Sequence, residues 1–144
     1  MNNPLLDFSG LPLFDRITPA DVTPAISELL KNADAALAEV TRDEFPADWT
    51  RISQVLDTAT EKLGRAWGAV SHLQAVVDTP ELRAAYNAEL PRVTEFWTRL
   101  GANEALYAKY KAINPASLNH EQQHARELAL RNFVLSGAEL TGAA

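Results

Sequence analysis

The sequence predicts an all-α fold, a mostly antiparallel bundle of five or six helices preceded by an extended N-terminal arm. Apolar residues recur every three or four positions through most of the chain, as they do on the buried face of a helix. No segment alternates apolar and polar residues in the way that a half-buried strand does. Short connections between the predicted helices favour antiparallel neighbours.

The composition is typical of one globular domain. The 144 residues include 13 Lys and Arg against 19 Asp and Glu, which gives a net charge of −6, and 47% are hydrophobic. A chain of this length buries roughly 70% of its unfolded surface. The acidic balance argues against a nucleic-acid-binding protein, which needs a basic face. The absence of cysteine excludes disulfides, thiolate catalysis and cysteine-ligated zinc.

No part of the sequence predicts export or a membrane partner. The first ten residues contain neither Lys nor Arg and no long apolar run, unlike a secretory signal. The longest uncharged stretch, residues 66–77, is shorter than the roughly 20 residues that cross a bilayer. We therefore expect a cytoplasmic protein whose partners include neither nucleic acid nor membrane.

The predicted domain organisation is an extended arm over residues 1–17, packed on the bundle, and a helical domain over residues 18–144. Pro4, Gly10 and Pro12 prevent a helix in the arm. Its apolar residues are too numerous for a free tail: Leu5, Leu6, Phe8, Leu11, Leu13, Phe14 and Ile17. We therefore expect the arm to lie over a hydrophobic surface.

Thr-Pro pairs and aspartates mark the first helix starts. The pair at residues 18–19, with Asp21, places a capping Thr, a proline at the first helical position and an acid at the third. The second pair, at residues 23–24, repeats this pattern, and the first long helix is predicted to begin there. Asp48 is predicted to cap a second helix whose apolar spacing continues for about eight turns, to Val77.

Further helices are predicted in the second half of the chain. The third begins within residues 78–81 and contains Pro91, which is predicted to kink or break it. A shorter helix is predicted over residues 103–113. Asn119, followed three residues later by a glutamine, has the spacing of a capping box and opens the last helix, which Gly137 ends.

The last predicted helix begins with a motif of zinc proteases. His120, Glu121 and His124 match H-E-x-x-H, in which two histidines hold zinc and the glutamate activates zinc-bound water. At about 100° per residue, however, both histidines project away from the apolar side of the helix. A helix that binds catalytic zinc lines a cleft, where hydrogen bonds from neighbouring groups orient its histidines. We interpret the motif as a polar helix face and predict no catalytic, cofactor-binding or metal-binding residue in this chain.

A row of small residues marks one side of the second predicted helix. It comprises Gly64, Gly68, Ser71 and Ala75. Small side chains let another backbone approach closely, so the row predicts tight helix packing. Because residues 66–77 carry no charge, a row without a covering element would leave an exposed apolar patch and cause self-association. His72, beside the row, is interpreted as a surface or interhelical histidine, and the Trp and Tyr residues mostly as core.

Several specific strings resemble one known family. Residues 3–14, with the sequence NPLLDFSGLPLF, resemble the start of members of the thimet oligopeptidase family of zinc metallopeptidases. The resemblance continues in the same order through nearly the whole chain, over residues 17–19, 22–25, 65–76, 80–87, 103–107 and 129–138.

The resemblance implies that this chain is the non-catalytic N-terminal helical domain of a much longer oligopeptidase. In that family, the zinc-binding H-E-x-x-H motif lies in a distant C-terminal catalytic domain, so His120 and His124 have no counterpart among its ligands. The resemblance therefore implies that zinc belongs to the full-length parent and that no cofactor is expected here. It also implies a role in a channel wall or scaffold, with the catalytic domain and short peptide substrates as partners. The chain alone is expected to be inactive.

Two other functions stay open on the sequence alone. The chain could be a free-standing helical protein-interaction module without enzymatic activity. The length of the native reading frame distinguishes this module from a domain of a longer peptidase. The chain could also be a small autonomous zinc hydrolase at His120 and His124, which tight stoichiometric zinc in the purified protein distinguishes.

Overall fold

The computed structural model describes residues 2–140, and its regular structure is helical within that range. The α-helices are α1 (Pro19–Val40), α2 (Trp49–Ile52), α3 (Thr58–Val77), α4 (Pro80–Gly101), α5 (Glu104–Ala112) and α6 (His120–Leu135). A π-helical segment, Ser53–Asp57, joins α2 to α3 without a break, so these elements form one long rod. Residues 2–140 contain no strand, which confirms the predicted all-α fold.

The segment before α1, residues 2–18, contains one short 3-10 turn, Pro4–Leu6. Leu5, at the centre of this turn, is buried among residues of α1 and α3. The side-chain amide of Asn3 donates a hydrogen bond to the backbone carbonyl of Asp21 at 2.8 Å. Leu5 and the Asn3 hydrogen bond thus connect the start of the chain to the bundle, and Leu6, Phe8 and Ile17 of the same segment also pack against the first apolar cluster.

The first long helix begins at Pro19, so the start predicted at residues 23–24 is wrong. The backbone N–H and the hydroxyl of Thr18 both donate to the Asp21 carboxylate at 2.8 Å, which fixes the helix start. Pro24 lies within the helix, close to its N-terminus. A proline there removes a single backbone hydrogen bond, and the buried apolar face that follows holds the helix together.

The predicted break at Pro91 does not occur, because α4 continues past it to Gly101. Proline lacks the N–H that would bond to the carbonyl of Asn87, one turn earlier. Both Pro91 and Asn87 are exposed, so water can bond to the released carbonyl. The loss of this hydrogen bond therefore costs little free energy on this side of α4.

The core consists of two apolar clusters that share α1. The first lies between α1, α3 and α4 and includes Ile26, Leu63, Val70, Val93 and Phe96. The second joins the C-terminal end of α1 to α2, the π-helical segment, α5 and α6, and includes Val40, Ile52, Leu106, Ile113 and Phe133. Because α1 contributes to both clusters, it connects the two ends of the bundle.

The turn between α3 and α4 is fixed by side-chain hydrogen bonds. Asp78 ends α3 in the left-handed region, with φ at 30°, which aspartate tolerates better than most residues. Its carboxylate accepts two hydrogen bonds from the Arg83 guanidinium, at 2.9 and 2.7 Å, and these lower the pKa of Asp78. The Thr79 hydroxyl caps α4 by accepting from the N–H of Leu82 at 3.2 Å.

Candidate functional site

The H-E-x-x-H motif occupies the first turns of α6, where His120 and His124 are both exposed. Asn119 caps the helix, because its side chain accepts from the N–H of Gln122 at 2.8 Å. The opposite side of α6 packs into the second cluster through Phe133, which is buried. The predicted orientation of the motif, with its histidines on the polar face, is confirmed.

The geometry around these histidines does not fit a catalytic zinc site. Among residues 2–140, no three His, Cys, Asp or Glu side chains are placed to hold one metal ion. His120 and His124 lie on an open helix face, whereas catalytic zinc needs a third ligand and an enclosing cleft. No zinc-dependent step can therefore be derived from the part of the chain that the structure describes.

The row of small residues on α3 lies uncovered. Gly64, Gly68 and Ala75 are exposed, and Ser71 is half-buried. A Cβ atom built on Gly68 would meet nothing within 4 Å. The tight packing predicted for this row is therefore absent among residues 2–140, and the alternative consequence, an exposed patch, applies instead.

Exposed apolar side chains lie next to this row. Trp97 of α4 is 38% exposed, and its ring lies 4.0 Å from a Cβ built on Gly64. Leu90, two turns earlier on the same side of α4, is 37% exposed. We call the surface formed by Gly64, Gly68, Ser71, Ala75, Leu90 and Trp97 the α3–α4 face. Val76 and Val77 extend the exposed apolar surface at the end of α3.

We expect the 144-residue chain to self-associate at millimolar concentration through the α3–α4 face, because exposed apolar patches are rare on monomers. Trp97→Lys should shift the light-scattering mass towards that of a monomer. Leu11→Lys is the control, because Leu11 is also apolar and is more exposed than Trp97, at 86%, but lies in the N-terminal segment. A wild-type chain that stays monomeric at millimolar concentration contradicts this expectation.

His72 lies beside the row and is exposed. The ring of Phe14 approaches it edge-on, with centroids 5.5 Å apart. The interpretation of His72 as a surface histidine is confirmed. The prediction that the Trp and Tyr residues mostly belong to the core does not hold equally for each of them. Tyr110 is buried as predicted, whereas Trp97 belongs to the exposed surface.

One acidic side chain, Glu89, is buried between α1 and α4, with 2% of its surface exposed. Its carboxylate accepts hydrogen bonds from the Thr23 hydroxyl at 2.9 Å and from the Arg92 guanidinium at 2.6 Å. The sequence indicates this burial, because Glu89 lies seven residues from both Leu82 and Phe96, on the apolar stripe of α4. The paired carboxylate links two helices and is not a free acid or base.

None of the helices described is both long and apolar enough to span a bilayer.

Comparisons with known proteins agree with the resemblance seen in the sequence. A family model described as "Neurolysin/Thimet oligopeptidase, N-terminal domain" matches residues 26–144. Oligopeptidase A of Salmonella typhimurium is 40% identical over 144 residues, and the alignment covers 97% of this chain and 21% of that protein. For oligopeptidase A of Escherichia coli the identity is 38%, with the same coverage.

A plant protein is also similar over nearly the whole chain. The probable cytosolic oligopeptidase A of Arabidopsis thaliana is 35% identical over 143 residues, which cover 96% of this chain and 20% of that protein. The chain thus spans about a fifth of the length of the curated relatives that it matches. The chain belongs to the neurolysin/thimet oligopeptidase family and corresponds to its N-terminal domain.

Proposed function

We propose that this chain is the non-catalytic N-terminal helical domain of a zinc-dependent oligopeptidase and forms part of its channel wall or scaffold. The observation that carries the proposal is the extent of the similarity. Nearly the whole chain aligns with proteins named oligopeptidase A, yet it spans only about a fifth of each. In the proposal, the hydrolysis of short peptides is the activity of the whole polypeptide.

The arrangement of polar residues favours a structural role for this chain over a catalytic one. The H-E-x-x-H motif is exposed, and Glu89 is occupied by Thr23 and Arg92. In the proposal, zinc is bound by the catalytic domain of the same polypeptide, outside this chain. The helices contribute a rigid surface, which limits the substrates to peptides that are narrow enough to enter.

The α3–α4 face supports the proposal that the rest of the polypeptide is the partner of this chain. Gly64 and Gly68 would let a further helix approach closely, and Leu90 and Trp97 would be buried by it. Burial of apolar side chains is the main driving force for such packing. We also propose a cytoplasmic location, as the sequence predicts. Two relatives carry different compartments in their names, one cytosolic and one organellar.

The same face favours a second candidate, the free-standing helical interaction module. In that case the α3–α4 face would itself be the docking surface, since it is exposed and apolar. The module would have no peptidase activity and no need of a catalytic domain.

The native reading frame tests the choice between these two functions. We expect the DNA beyond the codon of Ala144 to continue for several hundred codons and to contain a second H-E-x-x-H motif. An intact mass of the native protein about five times that of this chain would agree, because the chain is about 21% of its relatives. A stop codon directly after Ala144 contradicts the proposed function and supports the interaction module.

A further inference from the structure

An apolar cavity of about 270 Å³ opens where the start of α3 meets α4, α5 and α6. Its apolar lining includes Leu56, Trp97, Leu106 and Phe133. Pockets that hold drug-sized molecules measure about 300–1,000 Å³, so this cavity suits a smaller ligand, such as one apolar amino-acid side chain and its neighbouring atoms.

Tyr110 lines this cavity and is 8% exposed, with its ring packed against Trp49 and Phe133 at centroid distances of 5.9 and 5.8 Å. Its hydroxyl makes no hydrogen bond to any other side chain or backbone group among residues 2–140. No fully buried side-chain N or O atom of those residues lacks a partner, so the hydroxyl is at least partly accessible to solvent, and Tyr110 lines the cavity. A ligand with an acceptor oxygen would therefore satisfy it.

The protonation state of this hydroxyl suits a donor. A tyrosine hydroxyl keeps its proton at neutral pH, and burial, and to a smaller extent the charge of Asp57, raise the pKa of the Tyr110 hydroxyl further. A neutral phenol donates one hydrogen bond and is available to a carbonyl oxygen.

The charge of the cavity favours a cation. Asp57 is the only charged side chain that lines it within residues 2–140, and the carboxylate makes no ion pair there. An ammonium group beside Asp57 would meet an opposite charge and no competing Lys, Arg or His in the lining. The net charge of −6 also attracts cations, at longer range.

A local irregularity of the backbone lies at the same place. The π-helical segment Ser53–Asp57 carries both Leu56 and Asp57 to the cavity. Such segments are rare in helices and occur frequently at functional sites. The Thr60 hydroxyl donates to the carbonyls of Leu56 at 3.0 Å and Asp57 at 3.2 Å, which ties the segment to α3.

We propose that this cavity binds a small molecule with a primary ammonium group on an apolar body, with the ammonium at Asp57 and a carbonyl oxygen at Tyr110. The N-terminal residue of a short peptide offers all three features, namely the ammonium, an apolar side chain and a carbonyl. A free arylalkylamine offers only the first two. The proposal concerns this chain alone and does not depend on the function proposed above.

Titration of the ¹⁵N-labelled 144-residue chain, followed by NMR, tests the proposal. Phenylalaninamide should give saturable shifts at the lining residues with a millimolar Kd, and N-acetylphenylalaninamide should bind at least about tenfold more weakly because it lacks the ammonium. Phe-Gly-Gly and phenethylamine distinguish the two sources of the ligand. Tighter binding of the peptide identifies a peptide N-terminus, and equal binding identifies free amines.

Two variants locate the binding. Tyr110→Phe keeps the ring and should weaken binding of phenylalaninamide about fivefold, and Asp57→Asn should weaken it about tenfold. Tyr107→Phe and Asp34→Asn are matched controls outside the cavity and should bind as the wild type does. Because Asp57 is exposed, its variant should fold even if Tyr110→Phe does not. The absence of saturable shifts, equal affinity for the acetylated probe, or unchanged affinity of Asp57→Asn overturns the proposal.

Discussion

Replacing Phe96 by alanine is expected to destabilise the chain by about 3–5 kcal/mol, the range measured for large aromatic residues removed from protein cores. Phe96 is 1% exposed and belongs to the first cluster, which holds α4 against α1 and α3. The truncation removes buried apolar surface and leaves a cavity that the surrounding helices can fill only partly. Urea unfolding followed by circular dichroism at the helical band measures the change in free energy of unfolding.

Phe14→Ala is the matched control for this prediction. Phe14 has the same side chain but is 42% exposed, with its ring against His72 on the surface. We expect its truncation to cost about 1 kcal/mol or less. If the two variants lose equal stability, the first cluster is not the part of the core that we describe.

Replacing Arg92 by methionine is expected to cost about 2–3 kcal/mol, because it leaves the buried Glu89 carboxylate with Thr23 as its remaining partner. The charge would then be poorly compensated between α1 and α4. Since Arg92 itself is about half exposed, we expect a smaller loss than the roughly 3–5 kcal/mol that removing one partner of a fully buried ion pair costs. The same urea unfolding experiment measures the loss.

Arg99→Met provides the comparison, because Arg99 also reaches from α4 to α1, where it pairs with Asp34 at 2.9 Å. Both partners of that pair are about half exposed, so its loss should cost less than about 1 kcal/mol. The double variant Glu89→Met, Arg92→Met should recover part of the stability lost in Arg92→Met, because no buried charge remains. A double variant less stable than Arg92→Met would contradict this account of Glu89.

The helices could be predicted from the sequence because their signals are local. The capping pairs at Thr18 and Asn119 and the apolar spacing within each helix depend on neighbouring residues only. Pro24 and Pro91 misled the prediction for a physical reason. Each removes one hydrogen bond, and the packing of the helix outweighs that loss near a helix start or on an exposed side.

The cavity could not be predicted in the same way. The cavity is lined by side chains from four helices that are distant in the sequence, such as Asp57, Tyr110 and Phe133. The π-helical segment left no trace in the apolar spacing, because Leu56, Ala59 and Leu63 keep intervals of three and four. Long-range arrangements of this kind depend on how the helices pack, and helical periodicity does not report it.

The row of small residues shows a different limit of prediction from the sequence. The sequence correctly indicates that Gly64 and Gly68 lie on one side of a helix, but it does not indicate what covers them. Within residues 2–140 no element does so, which is why the proposed function assigns this face to the rest of the polypeptide.

Peptidase activity of the isolated 144-residue chain tests the central claim, that these helices contain no reaction centre of their own. The chain is incubated with zinc and a mixture of short peptides, and the products are followed by mass spectrometry. We predict no hydrolysis above the buffer rate for the wild type, for His124→Ala, or for His72→Ala as the surface-histidine control. Zinc-dependent hydrolysis that His124→Ala abolishes and His72→Ala leaves intact would contradict the claim.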